Sequence, residues 1–76
     1  MSLINHLEAH RRAAGLTQAQ LAEAIGVSRK TINTVENRVF LPSTLLALKL
    51  ARHLGVSLHD LFELAPETET PEKDIT

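Results

Sequence analysis

Residues 17–38 read TQAQLAEAIGVSRKTINTVENR, two apolar-periodic stretches joined by the phrase Gly26-Val27-Ser28. Leu21, Ala22 and Ile25 mark one face of the first stretch, and Ile32 and Val35 one face of the second, the spacing of short amphipathic helices. Thr17 followed by Gln20 is a capping box, and Ser28 after a glycine and one apolar residue is a helix N-cap. Only Gly26 and Val27 separate the two helices before that cap, so they must cross steeply. One feature works against this arrangement. Arg29 and Lys30 fall in the first turn of the second helix, where the dipole is already positive and each added cation costs a few tenths to roughly 1 kcal/mol.

The same corner occurs three times, as Gly15-Leu16-Thr17, Gly26-Val27-Ser28 and Gly55-Val56-Ser57. In each, glycine ends a helix in the left-handed conformation, the apolar residue packs back, and Thr or Ser caps the next helix. Ser57 is followed by Asp60, an acidic version of the capping box, and Pro42-Ser43 supplies a fourth start signal. Five helices are expected, near 3–14, 17–25, 28–37, 43–54 and 57–63. Ile4, Leu7, Ala14 and Leu16 are the apolar positions of the first; Leu45, Leu48, Ala51 and Leu54 those of the fourth; Leu58, Leu61 and Phe62 those of the fifth. Residues 1–65 form one domain with the two-helix motif at about 17–37, and residues 66–76, PETETPEKDIT, read as an acidic, disordered tail.

With 76 residues the chain has room for one small domain, near the size at which pairing with a second copy helps. Hydrophobic residues make up 43%, yet the only aromatics are Phe40 and Phe62, so the core is aliphatic. There is no cysteine, which excludes disulfides and thiolate metal sites; no apolar run approaches a membrane span, and a cytoplasmic location is expected. The net charge of −1 conceals a split: residues 1–62 carry seven Lys and Arg against four acids, and residues 63–76 carry five acids against Lys73. A mildly basic body suits an anionic partner but does not identify one.

The stretch at 17–38 resembles the small Cro/C1-type, or xenobiotic-response-element type, helix-turn-helix regulators of prokaryotes and their phages. Gln18 opening the second helix, small Ala22, Gly26 in the turn, apolar Ile25, Val27, Ile32 and Val35, and Glu36-Asn37 closing the third helix occur in register. The continuation PSTLLALKLARHLGVSLHDLFEL is similar to the same family's fourth and fifth helices. The resemblance implies an all-α, five-helix, lambda-repressor-like domain that binds double-stranded DNA through its third helix. If Val27, Ile32 and Val35 face inward, Arg29, Lys30, Asn33, Thr34 and Asn37 lie outward, with Thr31 at the border. Arg and Lys suit guanine or phosphate, Asn suits adenine, and threonine suits the thymine methyl. Two cations at a helix start then form an anion site that a polyanion completes, which accounts for the unfavourable charges.

By the family's pattern Arg29, Lys30 and Thr34 match base-reading positions, joined on the outward surface by Asn33, while Thr17, Gln18, Ser28, Thr31, Asn37 and Arg38 match positions nearer the phosphates. The resemblance also implies an ion pair between Arg11 and Glu36 holding the third helix to the first. Where many relatives have glycine after Glu-Asn, this chain has Arg38, so Asn37 or Arg38 must take any left-handed conformation there. Phe40, Phe62 and Leu64 are the candidates for a two-fold interface. Some small relatives pair a short N-terminal strand with one after the fifth helix, and Met1–Leu3 and Glu63–Ala65 could do the same.

Other chemistries are poorly served. His6 and His10 have metal-binding spacing but no third ligand in evidence, and nothing resembles a phosphate loop or a nucleophile–base set, so neither a cofactor nor an enzyme is expected. The expected protein is a homodimeric repressor on a palindromic operator. Antitoxin, restriction-modification controller and phage-type repressor would use the same DNA binding. A reading of another class is a protein-interaction module that meets a regulatory protein instead of DNA.

Overall fold

The computed structural model describes residues 3–39 and 41–66. Five helices follow one another: α1 (Leu7–Ala13), α2 (Gln18–Ile25), α3 (Arg29–Glu36), α4 (Thr44–Leu54) and α5 (Leu58–Leu61). Two three-residue strands, β1 (Leu3–Asn5) and β2 (Phe62–Leu64), close the domain as an antiparallel ribbon, with Leu3 opposite Leu64 and Asn5 opposite Phe62. The helix expected from residue 3 is therefore corrected: residues 3–5 are strand, and α1 starts at Leu7. Likewise α5 stops at Leu61, because Phe62 turns to extended backbone to meet β1. Of the residues expected to pair, Leu3, Glu63 and Leu64 lie in the ribbon and Ala65 follows it, while Met1 and Ser2 lie outside the described residues, as do residues 67–76 of the acidic tail.

Side chains cap four of the helices as their sequences dictate. The Thr17, Ser28, Ser43 and Ser57 hydroxyl groups accept from the backbone N–H three residues on, and Gln20 and Asp60 complete capping boxes by accepting from the N–H groups of Thr17 and Ser57. At the α2–α3 corner Gly26 has φ +80°; the Gly26 and Val27 N–H groups both donate to the Ala22 carbonyl, closing α2 while turning the chain into α3.

The core is Leu7, Leu21, Ala22, Ile25, Ile32, Val35, Leu46, Leu50, Ala51 and Leu61, with Leu16, Val27, Leu54, Val56 and Phe62 packed against it. Ala22 is buried where α2 meets α3, and its small side chain lets the two backbones approach. In α4 the inward face is Leu46, Ala47, Leu50 and Ala51, so the expected inward positions Leu45 and Leu48 are corrected: they are 64% and 50% exposed. The sequence TLLALKL offers two apolar registers, and packing against α2 and α5 selects the one that buries Leu46, Ala47 and Leu50. Ala14 and Leu58 also lie further out than their spacing suggests, both being exposed.

Candidate nucleic-acid interface

α3 buries Ile32 and Val35 and turns its other side out. Arg29, Lys30, Asn37 and Arg38 are exposed, and Thr31, Asn33 and Thr34 are half-buried along the same surface. No apolar residue of α3 interrupts this face. Among the described residues neither Arg29 nor Lys30 has a carboxylate within ion-pair distance, and α3 carries no acid in its first turn. Two unneutralised cations beside free helix N–H groups make this end of α3 attractive to an anion.

The hydroxyl groups are partly committed within the helix. Ser28 Oγ accepts from the Thr31 N–H at 3.1 Å and lies 2.9 Å from Thr31 Oγ1. Thr34 Oγ1 donates to the Thr31 carbonyl at 3.0 Å, which uses its proton and leaves a lone pair and the methyl for an external partner. Thr17 sits at the start of α2, its hydroxyl oxygen accepting from the Gln20 N–H. Gln18, the next residue, is half-buried and engaged inward: its Nε2 donates to Glu36 Oε1 at 2.9 Å, and its Oε1 accepts from Asn33 Nδ2 at 3.5 Å.

Behind the face lies the ion pair of Arg11 and Glu36. Arg11 Nε donates to Glu36 Oε2 at 2.6 Å, Nη2 donates to Oε1 at 3.2 Å, and Nη1 donates to the Leu16 carbonyl at 2.8 Å. The Glu36 side chain is 3% exposed and that of Arg11 9%. Hydrogen bonding to Glu36 raises the Arg11 pKa further above its already high value, against the opposing effect of burial. Both carboxylate oxygens are occupied, so α3 is fixed to α1 and α2 by one charged group.

The chain leaves α3 through Arg38, which has φ +63° while Asn37 stays at φ −90°. The Arg38 N–H donates to the Val35 carbonyl and the Val39 N–H to that of Thr34, closing α3 as Gly26 closes α2. The Arg38 side chain is thereby held outside the helix, beside its C-terminal end. Of the interface candidates, Phe62 is half-buried against the core and Leu64 is 63% exposed; both line an open apolar groove with Leu3, Leu41, Pro42 and Leu58. Phe40 lies outside the described residues.

Asn5 is a site-supporting residue that the sequence reading missed. Its Nδ2 donates to the Val35 carbonyl at 2.7 Å, and its Oδ1 accepts from the Leu7 N–H. An asparagine just before an apolar-periodic run is a helix-start signal, and it would have moved the start of α1 from residue 3 to the residues after Asn5. No group of three or more His, Asp or Glu side chains suited to a metal occurs among the described residues. Among these residues, no helix is long and apolar enough to cross a membrane.

A helix-turn-helix family model matches residues 7–61, from the start of α1 to the end of α5. Of the curated relatives, an uncharacterized helix-turn-helix transcriptional regulator of Methanocaldococcus jannaschii is 43% identical over 58 residues, covering 76% of this chain and 88% of its own length. Another, from Methanothermobacter thermautotrophicus, is 46% identical over 56 residues, covering 72% and 81% respectively. The Bacillus subtilis regulator YgzD is 35% identical over 63 residues, or 83% of this chain and 96% of YgzD. A tight α2–α3 corner, an outward polar α3 and a match spanning all five helices together assign the chain to the Cro/C1-type family of helix-turn-helix transcriptional regulators.

Proposed function

We propose that this protein is a cytoplasmic, homodimeric repressor that occupies a palindromic operator in double-stranded DNA. The observation that carries the reading is the outward face of α3, where exposed Arg29 and Lys30 lack carboxylate partners among the described residues and stand over a helix start. In the major groove Arg29, Lys30, Asn33 and Thr34 meet base edges. Thr17, Ser28, Thr31, Asn37 and Arg38 lie along the flanks, where phosphates fix the register. The two-fold contact is formed by the apolar groove of Leu3, Leu41, Leu58, Phe62 and Leu64. Three of these residues are large hydrophobics exposed in the single chain, and a second copy would remove them from water.

The test is selection from a randomised duplex pool, repeated across salt concentrations and with Arg29→Ala, Lys30→Ala as control. The expected result is a palindrome with half-site centres about 34 Å apart and affinity that falls steeply with salt. Sedimentation of Leu64→Asp should give monomer with weakened operator binding. A folded protein that enriches no sequence would refute the reading.

A further inference from the structure

Glu36, Gln18 and Asn33 form a line of hydrogen bonds from the buried ion pair to the recognition face, and its direction is chemically determined. An ionised carboxylate can only accept, so Gln18 must point its NH2 group at Glu36, as it does at 2.9 Å. That orientation turns the Gln18 carbonyl toward Asn33, and a carbonyl in turn demands the NH2 group of Asn33, which lies 3.5 Å away. Asn33 Oδ1 is left without a hydrogen-bond partner among the described residues, on a half-buried residue of the outward face. Arg11, donating to both oxygens of Glu36, holds the source of this polarity in place.

We propose that Gln18 is a positioning residue which transmits the polarity of Glu36 to Asn33, so that Asn33 offers its Oδ1 to an exocyclic base amino group, that of adenine N6 or cytosine N4. The inference rests on the DNA-binding reading and gives Gln18 a role distinct from a phosphate contact. Asn33 retains a second N–H beside Oδ1, so an adenine edge can be met at both N6 and N7. A flipped Asn33 amide would set a donor against the base amino group and lose that match.

The first experiment uses the full chain without DNA. In Gln18→Met, which keeps the side-chain length and removes its polarity, the Asn33 side-chain amide resonances should shift and their hydrogen exchange should quicken. The second uses the operator recovered by selection, with the purine or cytosine amino group removed at each position in turn. The parent should lose affinity about tenfold at one base pair of each half-site. Gln18→Met and Asn33→Ala should each lose that discrimination, their combination should lose no more, and the salt dependence should stay that of the parent. An unchanged Asn33 amide in Gln18→Met overturns the proposal. So does uniform weakening on all sequences with the base discrimination kept, the signature of a lost contact to the phosphate backbone, which carries no sequence information. Because the amide measurement contains no DNA, it separates failure of the relay from failure of the DNA-binding reading.

Discussion

Asn5 and Val35 join the two ends of the domain: the side chain of a strand residue caps the last turn of α3, the second helix of the helix-turn-helix. Asn5 Nδ2 donates to the Val35 carbonyl at 2.7 Å, while Asn5 itself lies opposite Phe62 in the terminal ribbon. The Val35 carbonyl already accepts from the Arg38 N–H, and Asn5 takes up its second lone pair, so a donor supplied from β1 ties the end of α3 to the ribbon. Asn5 Oδ1 simultaneously accepts from the first N–H of α1. Asn5→Ala removes both bonds and is expected to lower stability by about 1–2 kcal/mol in urea unfolding. If the ribbon only decorates the domain, the midpoint will not move.

The ion pair of Arg11 and Glu36 is stronger in consequence, because both side chains are almost entirely removed from water. Truncating one partner leaves the other buried and uncompensated, so Glu36→Ala is expected to cost about 3–5 kcal/mol. Replacing both, as in Arg11→Met with Glu36→Leu, should cost much less than the sum of the single changes, since no charge is then stranded. Equilibrium unfolding of the parent, Arg11→Met, Glu36→Leu and their combination closes the cycle. Additive losses would place the stabilising role elsewhere.

The recognition corner was legible because each of its determinants is local. Ser28, Gly26, Ile32 and Val35 specify cap, turn and buried face within a dozen residues, and the outward polarity of Arg29, Lys30 and Asn37 follows by subtraction. β1 was not legible in the same way: Ile4 and Leu7 continue a helical spacing, and what makes residues 3–5 a strand is a partner near residue 63. The face of α4 was ambiguous for another reason. Leucines at 45, 46, 48 and 50 satisfy two registers, and only tertiary packing distinguishes them. Gln18 was legible as a residue of the motif but not in its inward engagement, which depends on Glu36 being brought within 2.9 Å by the α2–α3 crossing.

Acid should loosen the start of α5 through Asp60. The Ser57 backbone N–H, and then the Ser57 hydroxyl, hold the Asp60 carboxyl below its ordinary value. A carboxylate whose folded pKa is depressed contributes stability that is fully present above its unfolded value, about 3.9, and is lost as pH falls through the folded value. Asp60→Asn should therefore be less stable than the parent at neutral pH, and the gap should narrow toward pH 3. Urea midpoints of the two proteins at both pH values decide it. A gap independent of pH would mean that the charged form contributes nothing.

Arg38 presents the opposite balance, a residue less stable than its obvious replacement. At φ +63° it occupies the left-handed region, where a side chain costs roughly 1 kcal/mol relative to glycine, and it closes α3 with the same hydrogen-bond pattern that Gly26 gives α2. Strain of this kind persists where the side chain has a use, and Arg38 is an exposed cation beside a face that carries Arg29 and Lys30. Arg38→Gly should raise stability by about 0.5–1 kcal/mol after allowing for the greater freedom of glycine in the unfolded chain. It should also weaken operator binding and make the salt dependence shallower by about one phosphate contact, with sequence preference unchanged. Paired unfolding and salt-titration measurements test both halves. A variant that gains stability and keeps its full salt dependence would remove Arg38 from the phosphate-binding set.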